Sequence, residues 1–220
     1  MARYAISDIH GCYHTLKELL STIGLNETDE LFLLGDFINR GEHSKEVVDF
    51  LMQLQKEGYQ LHLLKGNHES MVFDSFIYKD WPGGDEKTLK SFGINHLKEL
   101  PETYINWFSK LKYHHTSGQF VLVHAGLDFT KGNILEENEN MLWIRDWYNK
   151  IDKDKLGENK IIHGHVSLPK QTIMNMRDKL DQNQFLGIDN GCWKAGEPGL
   201  GNLCCFDLDS RELWFQEFKD

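Results

Sequence analysis

Apolar residues follow two different periods along the first seventy residues of the chain. Short apolar runs predict three buried strands, at residues 4–7, 31–34 and 60–64. Between them, apolar residues at helical spacing predict two helices, the first on Leu16, Leu19, Leu20 and Ile23 and the second on Val47, Leu51 and Leu54. Strands that alternate with helices form a parallel sheet covered by helices, so this pattern predicts an α/β fold.

The alternation of strand and helix signals becomes less regular between residues 74 and 118. This stretch contains a polar, glycine-rich turn at residues 81–87, WPGGDEK, and a predicted helix at residues 101–111 that begins on proline. We interpret residues 74–118 as a helical insertion over a functional site and expect one domain to span residues 1–220.

Strand signals return in the second half of the chain. The segments at residues 120–123 and 160–162 are short and rich in apolar and β-branched residues, which is typical of strands. Three further strands are predicted at residues 185–188, 203–206 and 213–215, and we expect these last three to form an antiparallel second sheet.

Composition and charge narrow the class of protein. The chain has 220 residues, is 40% hydrophobic and 26% charged, and carries a net charge of 24 − 34 = −10. An acidic chain of this kind does not favour nucleic acid or an anionic membrane as a partner. The first residues lack the layout of a signal peptide and the four cysteines lack metal-site spacing, so we expect a cytoplasmic protein with reduced thiols.

Polar residues that bind metals stand beside glycine at five predicted strand ends. They are Asp8 with His10, Asp36, Asn67 with His68, His124, and His165. Because ligands bind outside the carboxyl ends of strands in open α/β sheets, we expect these side chains to converge. Any one of them alone would more often be a hydrogen-bonded core residue, so the prediction depends on their joint occurrence.

These motifs resemble those of the metallophosphoesterases of the phosphoprotein phosphatase family, especially the small bacterial and phage type. The family motifs DxHG, GDxxDRG, GNHE, HAG and GH stand at residues 8–11, 35–41, 66–69, 124–126 and 164–165. The resemblance covers nearly the whole chain and implies a calcineurin-like fold, a two-sheet β-sandwich flanked by helices.

The resemblance also implies a site for two divalent metal ions. Asp8, His10 and Asp36 would hold the first ion, with Asp36 bridging to a second that Asn67, His124 and His165 complete. Oxygen ligands mixed with imidazoles suit Mn²⁺ first, with Fe or Zn as alternatives. Two cations against two aspartates leave a positive surplus that attracts phosphate.

By the same resemblance, a metal-bridging hydroxide attacks phosphorus directly, without a covalent enzyme intermediate. Arg40 and Arg145, the latter in the segment LWIR, would clamp the phosphate oxygens. His68 would protonate the leaving oxygen. Glu69 completes the GNHE motif and is given no catalytic role.

Asn39 departs from the family pattern, which has aspartate at this position. The aspartate is expected to stabilise the imidazolium form of His68. An asparagine oxygen can still orient the ring but brings no charge, so the pKa of His68 should be raised less. We therefore expect Asn39 to favour substrates with better leaving groups.

Three functions remain open. The leading one is a serine/threonine-type phosphoprotein phosphatase, with phosphotyrosine also possible, which acts on phosphoproteins or small phosphate esters. The modest length of the chain and the GNHE motif favour it. The alternative is a symmetrical bis(5'-nucleosyl)-tetraphosphatase, toward which Asn39 points. A non-catalytic phosphate-binding module is the third. The oligomeric state and the physiological substrate do not follow from the sequence.

Overall fold

The computed structural model describes residues 1–77 and 84–220, and they form two mixed β-sheets flanked by helices. The strands are β1 (Arg3–Ile6), β2 (Glu30–Leu33), β3 (Gln60–Leu63), β4 (His114–Ser117), β5 (Phe120–Val123), β6 (Lys160–His163), β7 (Phe185–Gly187), β8 (Asn202–Asp207) and β9 (Leu213–Glu217). The helices are α1 (Tyr13–Thr22), α2 (Ser44–Glu57), α3 (Asn67–Ile77), α4 (Glu86–Phe92), α5 (Glu102–Phe108), α6 (Asn140–Trp143), α7 (Lys153–Leu156), α8 (Lys170–Asp178) and α9 (Leu180–Asn183). Two 3₁₀ turns lie at Leu97–Glu99 and Tyr148–Lys150.

The first sheet has the strand order β3-β2-β1-β8-β9. The pairs β1–β2 and β2–β3 are parallel, which confirms the predicted βαβαβ unit. Strand β8 pairs antiparallel with β1, and β9 pairs antiparallel with β8.

The second sheet has the order β4-β5-β6-β7, in which β5, β6 and β7 are parallel and β4 is antiparallel. The expectation that the last three predicted strands form their own antiparallel sheet is therefore wrong. Strand β7 extends the second sheet, whereas β8 and β9 complete the first. Local alternation predicts that a strand exists, but its partner is selected by burial of side chains far away in the chain.

A buried apolar layer joins the two sheets. The first sheet contributes Ala5, Phe32 and Phe206, and the second contributes Leu122 and Ile162. Because both sheets bury side chains in this one layer, the fold is the predicted α/β sandwich flanked by helices. This shared core supports one domain over residues 1–220, which stays a prediction.

The stretch predicted as an insertion is helical in the described residues. Helices α3, α4 and α5 and the turn Leu97–Glu99 lie between β3 and β4. Residues 78–83, including part of the predicted turn at 81–87, lie outside the described residues. Asp85 and Thr88 bond the loop that carries Asn39, so this segment contacts the edge of the site. That the insertion lies over the site stays a prediction.

The four cysteines are buried free thiols, as expected. Among residues 1–77 and 84–220, no helix is long and apolar enough to cross a membrane. The cytoplasmic location stays a prediction.

Asp220 caps helix α1 from the far end of the chain. Cys12 precedes this helix and supplies no side-chain cap. The Asp220 carboxylate instead accepts hydrogen bonds from the backbone N–H groups of His14 and Thr15, at 2.9 and 3.1 Å. A negative charge at this position also complements the helix dipole.

We predict that Asp220→Ala lowers the free energy of unfolding by about 1 kcal/mol, because two N–H groups of α1 lose their acceptor. Urea unfolding measures this change, and Glu158→Ala, which removes an exposed carboxylate, is the matched control. Equal stabilities of the two variants would show that the cap contributes nothing.

Candidate active site

Side chains from five strand ends meet on one side of the sandwich. Asp8 follows β1, Asp36 follows β2, Asn67 begins α3 after β3, and His124 and His165 follow β5 and β6. All of them are buried. The sequence-based expectation of convergence is therefore met by the geometry.

A cavity of about 290 Å³ opens above these side chains. Its lining combines imidazoles, carboxylates, cations and indoles, namely His10, Asp36, Arg40, Asn67, His68, Met71, Trp143, Arg145, His165, Ser167, Asp189, Trp193 and Lys194. Both predicted phosphate-binding arginines are among them, as is the predicted proton donor His68. The cavity is small and polar, which suits a phosphoryl group.

Asp36 lies at the centre of two close groups of donor atoms. Its Oδ2 is 3.4 Å from His10 Nε2 and 3.9 Å from His68 Nε2. Its Oδ1 is 3.6 Å from His124 Nε2. One carboxylate thus faces both groups, the arrangement that the predicted bridging role requires.

The second group is the tighter of the two. His124 Nε2 lies 3.0 Å from Asn67 Oδ1 and 3.2 Å from His165 Nδ1, and Asn67 Oδ1 lies 3.0 Å from His165 Nδ1. These three residues are the predicted partners of Asp36 at the second ion.

In the first group, the position of Asp8 differs from that of its predicted companions. The close group around Asp36 contains His10 and His68. Both carboxylate oxygens of Asp8 instead accept from the backbone N–H of His165, at 3.1 and 3.0 Å. Asp8 still raises the pKa of Asp36 through charge repulsion, after the larger effect of burial, so the two carboxylates share one environment.

Backbone carbonyls orient two of the imidazoles. His10 Nδ1 lies 3.0 Å from the carbonyl of Ile38, and His124 Nδ1 lies 2.9 Å from that of Leu34. A carbonyl only accepts, so Nδ1 carries the proton in each ring and the Nε2 lone pair faces Asp36. Burial lowers the pKa of His10 to about 4 and that of His124 well below its usual range. Neutral, oriented imidazoles are the form that binds metal ions.

The site buries more negative charge than it neutralises. Burial raises the pKa values of Asp8, Asp36, Glu69 and Asp189, and repulsion among these carboxylates raises those of Asp8 and Asp36 further. The Nε2 atoms of His10 and His124 face the carboxylate of Asp36. Buried carboxylates beside open nitrogen donors fit divalent cations, so the residues present suit the ions that the sequence implies.

Glu69 fixes the loop that carries Asp36. Its buried carboxylate accepts hydrogen bonds from the backbone N–H groups of Gly66, Asp36 and Phe37, at 2.9, 2.8 and 2.8 Å. The residue given no catalytic role on sequence grounds therefore holds two of the motif loops together.

The loops of the site are strained. Asp8, Asp36, Asn39 and Arg40 all have a positive φ, at 35°, 54°, 69° and 76°. Residues other than glycine adopt this left-handed conformation at a cost of about 1–3 kcal/mol each when the surrounding structure enforces it. Such strain is concentrated where function fixes side-chain positions, which is consistent with an active site.

Two motif glycines allow the loops to approach each other. A Cβ at Gly66 would collide with the carboxylate of Asp36, and one at Gly164 would collide with that of Asp8. The glycines of the motifs therefore leave room for the acidic side chains rather than serving only as turns.

The side chain of Asn39 has the opposite orientation from the one expected. Its oxygen accepts from the backbone N–H of Asp85 at 3.0 Å, so its amide nitrogen faces His68 Nδ1 at 2.8 Å. The amide donates, and Nδ1 must accept, which fixes the neutral tautomer of His68 with its proton on Nε2. Burial, rather than any neighbouring charge, is the largest effect that lowers the pKa of His68 to about 2. The comparison with an aspartate at position 39, which should raise this pKa more than asparagine does, stays a prediction.

Arg40 is held by an indole ring. Its guanidinium carbon lies 5.1 Å from the centre of the Trp193 ring, and its backbone N–H bonds Asp85. Lys194 Nζ lies 5.2 Å from the same ring. Stacking on an aromatic face positions an arginine without occupying its N–H groups, which stay available to an anion.

The sequence reasoning missed Asp189, Ser167, Trp143, Trp193 and Lys194, which all line the cavity. Asp189 accepts from Ser167 Oγ at 3.0 Å and from the backbone N–H of Gly191 at 2.6 Å. It follows β7 in the stretch Ile188-Asp189-Asn190-Gly191, the same pattern of a polar residue and glycine after a strand. That signal could have identified it.

Residues 1–209 match the calcineurin-like phosphoesterase family, and the chain belongs to that family. This confirms the predicted class, a metallophosphoesterase, and the predicted fold. Because the match covers almost the whole chain, it includes every strand end described above.

Curated relatives carry a different name from the one first predicted. The chain is 47% identical over 131 residues to a symmetrical bis(5'-nucleosyl)-tetraphosphatase of Erwinia tasmaniensis, a match covering 58% of this chain and 45% of the relative. It is 32% identical over 130 residues to a protein of the same name from Nitrosospira multiformis, with 58% and 44% covered. The chain thus spans about half the length of these relatives.

A solved structure provisionally assigned as a diadenosine tetraphosphatase has the same fold. It superposes with a TM-score of 0.67 at 18% identity and covers 97% of this chain and 92% of that one. At this identity the likeness concerns the fold alone. The prediction of a phosphoprotein phosphatase is wrong, because the curated relatives are named for the alternative activity.

We predict that Glu69→Gln lowers the free energy of unfolding by about 1–3 kcal/mol, because the introduced amide NH₂ faces backbone N–H groups and leaves a buried donor without its acceptor. Urea unfolding in the presence of a chelator isolates this effect from metal binding. Glu136→Gln, an exposed change of the same chemistry, is the control, and a Glu69→Gln curve that matches it would contradict the anchoring role.

Proposed function

We propose that this protein hydrolyses dinucleoside tetraphosphates, cleaving a phosphoanhydride bond by direct attack of water. The observation that carries the proposal is the contact between the Asn39 amide nitrogen and His68 Nδ1 at 2.8 Å. The names of the curated relatives support the same substrate class.

The contact matters because it disfavours protonation of His68. An imidazolium needs an acceptor at Nδ1, and the Asn39 amide presents a donor there. A ring held neutral is a poor general acid, so the site suits a leaving group that departs without being protonated. A phosphate leaving group, with a pKa of about 6, meets this requirement, whereas a serine alkoxide does not.

The cations of the cavity match a polyphosphate chain. Arg40 and Arg145 line the cavity with Lys194, and within the described residues neither arginine forms a salt bridge with a carboxylate. In a chain of net charge −10, guanidinium groups without carboxylate partners bind anions. His68 keeps its Nε2 proton, with which it can donate a hydrogen bond to a phosphate oxygen.

We propose that Asp8, His10 and Asp36 hold one divalent ion and that Asp36, Asn67, His124 and His165 hold the other. Mn²⁺ is the ion we propose, with Fe or Zn as alternatives. When bound, such ions lower the pKa of a water molecule and offset the charge of phosphate oxygens. The protein itself contributes neutral imidazoles, fixed by Ile38 and Leu34, and a carboxylate that faces both groups.

The direct test incubates the purified chain and Mn²⁺ with diadenosine tetraphosphate. Nucleoside diphosphate is the product expected from cleavage at the central bridge, and chromatography detects it. Asp36→Asn should abolish turnover, because it removes the charge shared by both donor groups. If the protein hydrolyses an activated aryl phosphate but not diadenosine tetraphosphate, the proposed substrate is rejected and the phosphoesterase activity is upheld.

We predict that Asn39→Asp shifts preference toward poor leaving groups. A carboxylate at this position would accept from His68 Nδ1–H and raise the pKa of the ring, which restores general-acid help. The ratio of kcat/KM for an alkyl phosphate to that for diadenosine tetraphosphate should rise about tenfold or more.

Asn106→Asp places the same charge change on the exposed side of α5 and serves as the control. An equal change of kcat/KM on both substrates in Asn39→Asp would remove the leaving-group argument.

A further inference from the structure

Trp143 presents an exposed indole at the edge of the cavity. Its side chain is 40% exposed, and it lines the cavity together with Arg145 and His165. A single exposed apolar side chain is ordinary on a protein surface. The place of this one is unusual, because it lies beside cations that would hold phosphate. Met1, Phe76 and Ile77, also exposed, do not line the cavity.

The helix that carries Trp143 is firmly held. The two preceding residues, Met141 and Leu142, are fully buried, and the carbonyl of Met141 accepts from the backbone N–H of Ala125 at 2.8 Å. The first residue of the helix, Asn140, donates to Asp128 at 2.7 Å. The indole is therefore positioned before any ligand arrives, which lowers the entropic cost of binding.

The other indole of the cavity, that of Trp193, already contacts cationic side chains. Trp193 lies near the cations of Arg40 and Lys194. In the part of the chain that the structure describes, the Trp143 ring has one aromatic neighbour, His165, at 6.5 Å and an angle of 82°. That contact is edge-on, and no cation lies over either face of Trp143 among the same residues. The exposed part of the indole, 40% of its surface, is available to a flat, apolar ligand.

We propose that Trp143 is the stacking platform for a nucleobase of the substrate, a purine held by its ring face. The proposal rests on the proposed function, since a dinucleoside polyphosphate carries a base at each end of its phosphate chain. Arg145, two residues further on and also in the cavity lining, would hold the phosphate next to that nucleoside. Stacking on an aromatic ring recognises any base but favours the larger purine surface.

The test separates the base from the phosphates. Binding of ADP and of inorganic pyrophosphate to the Mn²⁺-loaded protein is measured by calorimetry for wild type, Trp143→Ala and Trp143→Phe. Trp143→Ala should weaken ADP about tenfold and leave pyrophosphate unchanged, because only ADP carries a base. Trp143→Phe should retain most of the affinity. The KM for diadenosine tetraphosphate should rise with the ADP dissociation constant, while kcat changes little.

Phe76→Ala is the matched control, since it removes an exposed aromatic ring outside the cavity lining. Equal weakening of ADP and pyrophosphate by Trp143→Ala would assign the residue a structural role and overturn the platform, as would unchanged binding of both. A third outcome is that Trp143→Ala weakens ADP binding alone while the wild-type protein does not hydrolyse diadenosine tetraphosphate. That outcome would uphold the stacking platform and reject the proposed substrate.

Discussion

Repulsion among buried carboxylates is the constraint on which this site depends. Asp8, Asp36, Glu69 and Asp189 are all buried, and repulsion from the other carboxylates disfavours the ionised forms of Asp8 and Asp36. The protein meets part of this cost with backbone N–H groups that donate to Glu69 and Asp8. The remaining negative charge is not offset by the imidazoles around Asp36, because they are neutral. Cations from solution would offset it.

The scaffold that enforces this arrangement is mostly backbone. Left-handed residues and glycines let the strand-end loops approach, and Glu69 fastens two of them together. Such loops tolerate little change, because their strain is balanced by contacts with neighbouring loops rather than by local propensity. Arg40, itself one of these left-handed residues, has a further contact that positions its side chain. Arg40 is positioned through the ring of Trp193, which lies more than 150 residues away in the chain.

Features that depend on a few neighbouring residues could be predicted from the sequence, and features that depend on distant residues could not. Strand ends that pair a metal-binding residue with glycine identified Asp8, Asp36 and His124, because that chemistry is visible within a few residues. The pairing of β8 with β1 could not be predicted, because it depends on apolar surfaces far apart in sequence. The orientation of Asn39 was out of reach for a similar reason. The choice between its oxygen and nitrogen depends on the N–H of Asp85, 46 residues later. Asp189 carries the same local signal as the other strand-end residues, since it follows the predicted strand at 185–188 and precedes Gly191 by two residues, and was predictable from the sequence.

The order of strands in the first sheet has a consequence for synthesis of the chain. Strand β1 is synthesised before its neighbour on one side, β8, which follows almost 200 residues later. Until then one edge of the growing parallel sheet presents unpaired backbone groups, the kind of edge that attracts other chains. Closing that edge requires contacts between distant parts of the chain, which form slowly. The edge of β1 is closed only when the hairpin of β8 and β9 pairs with it.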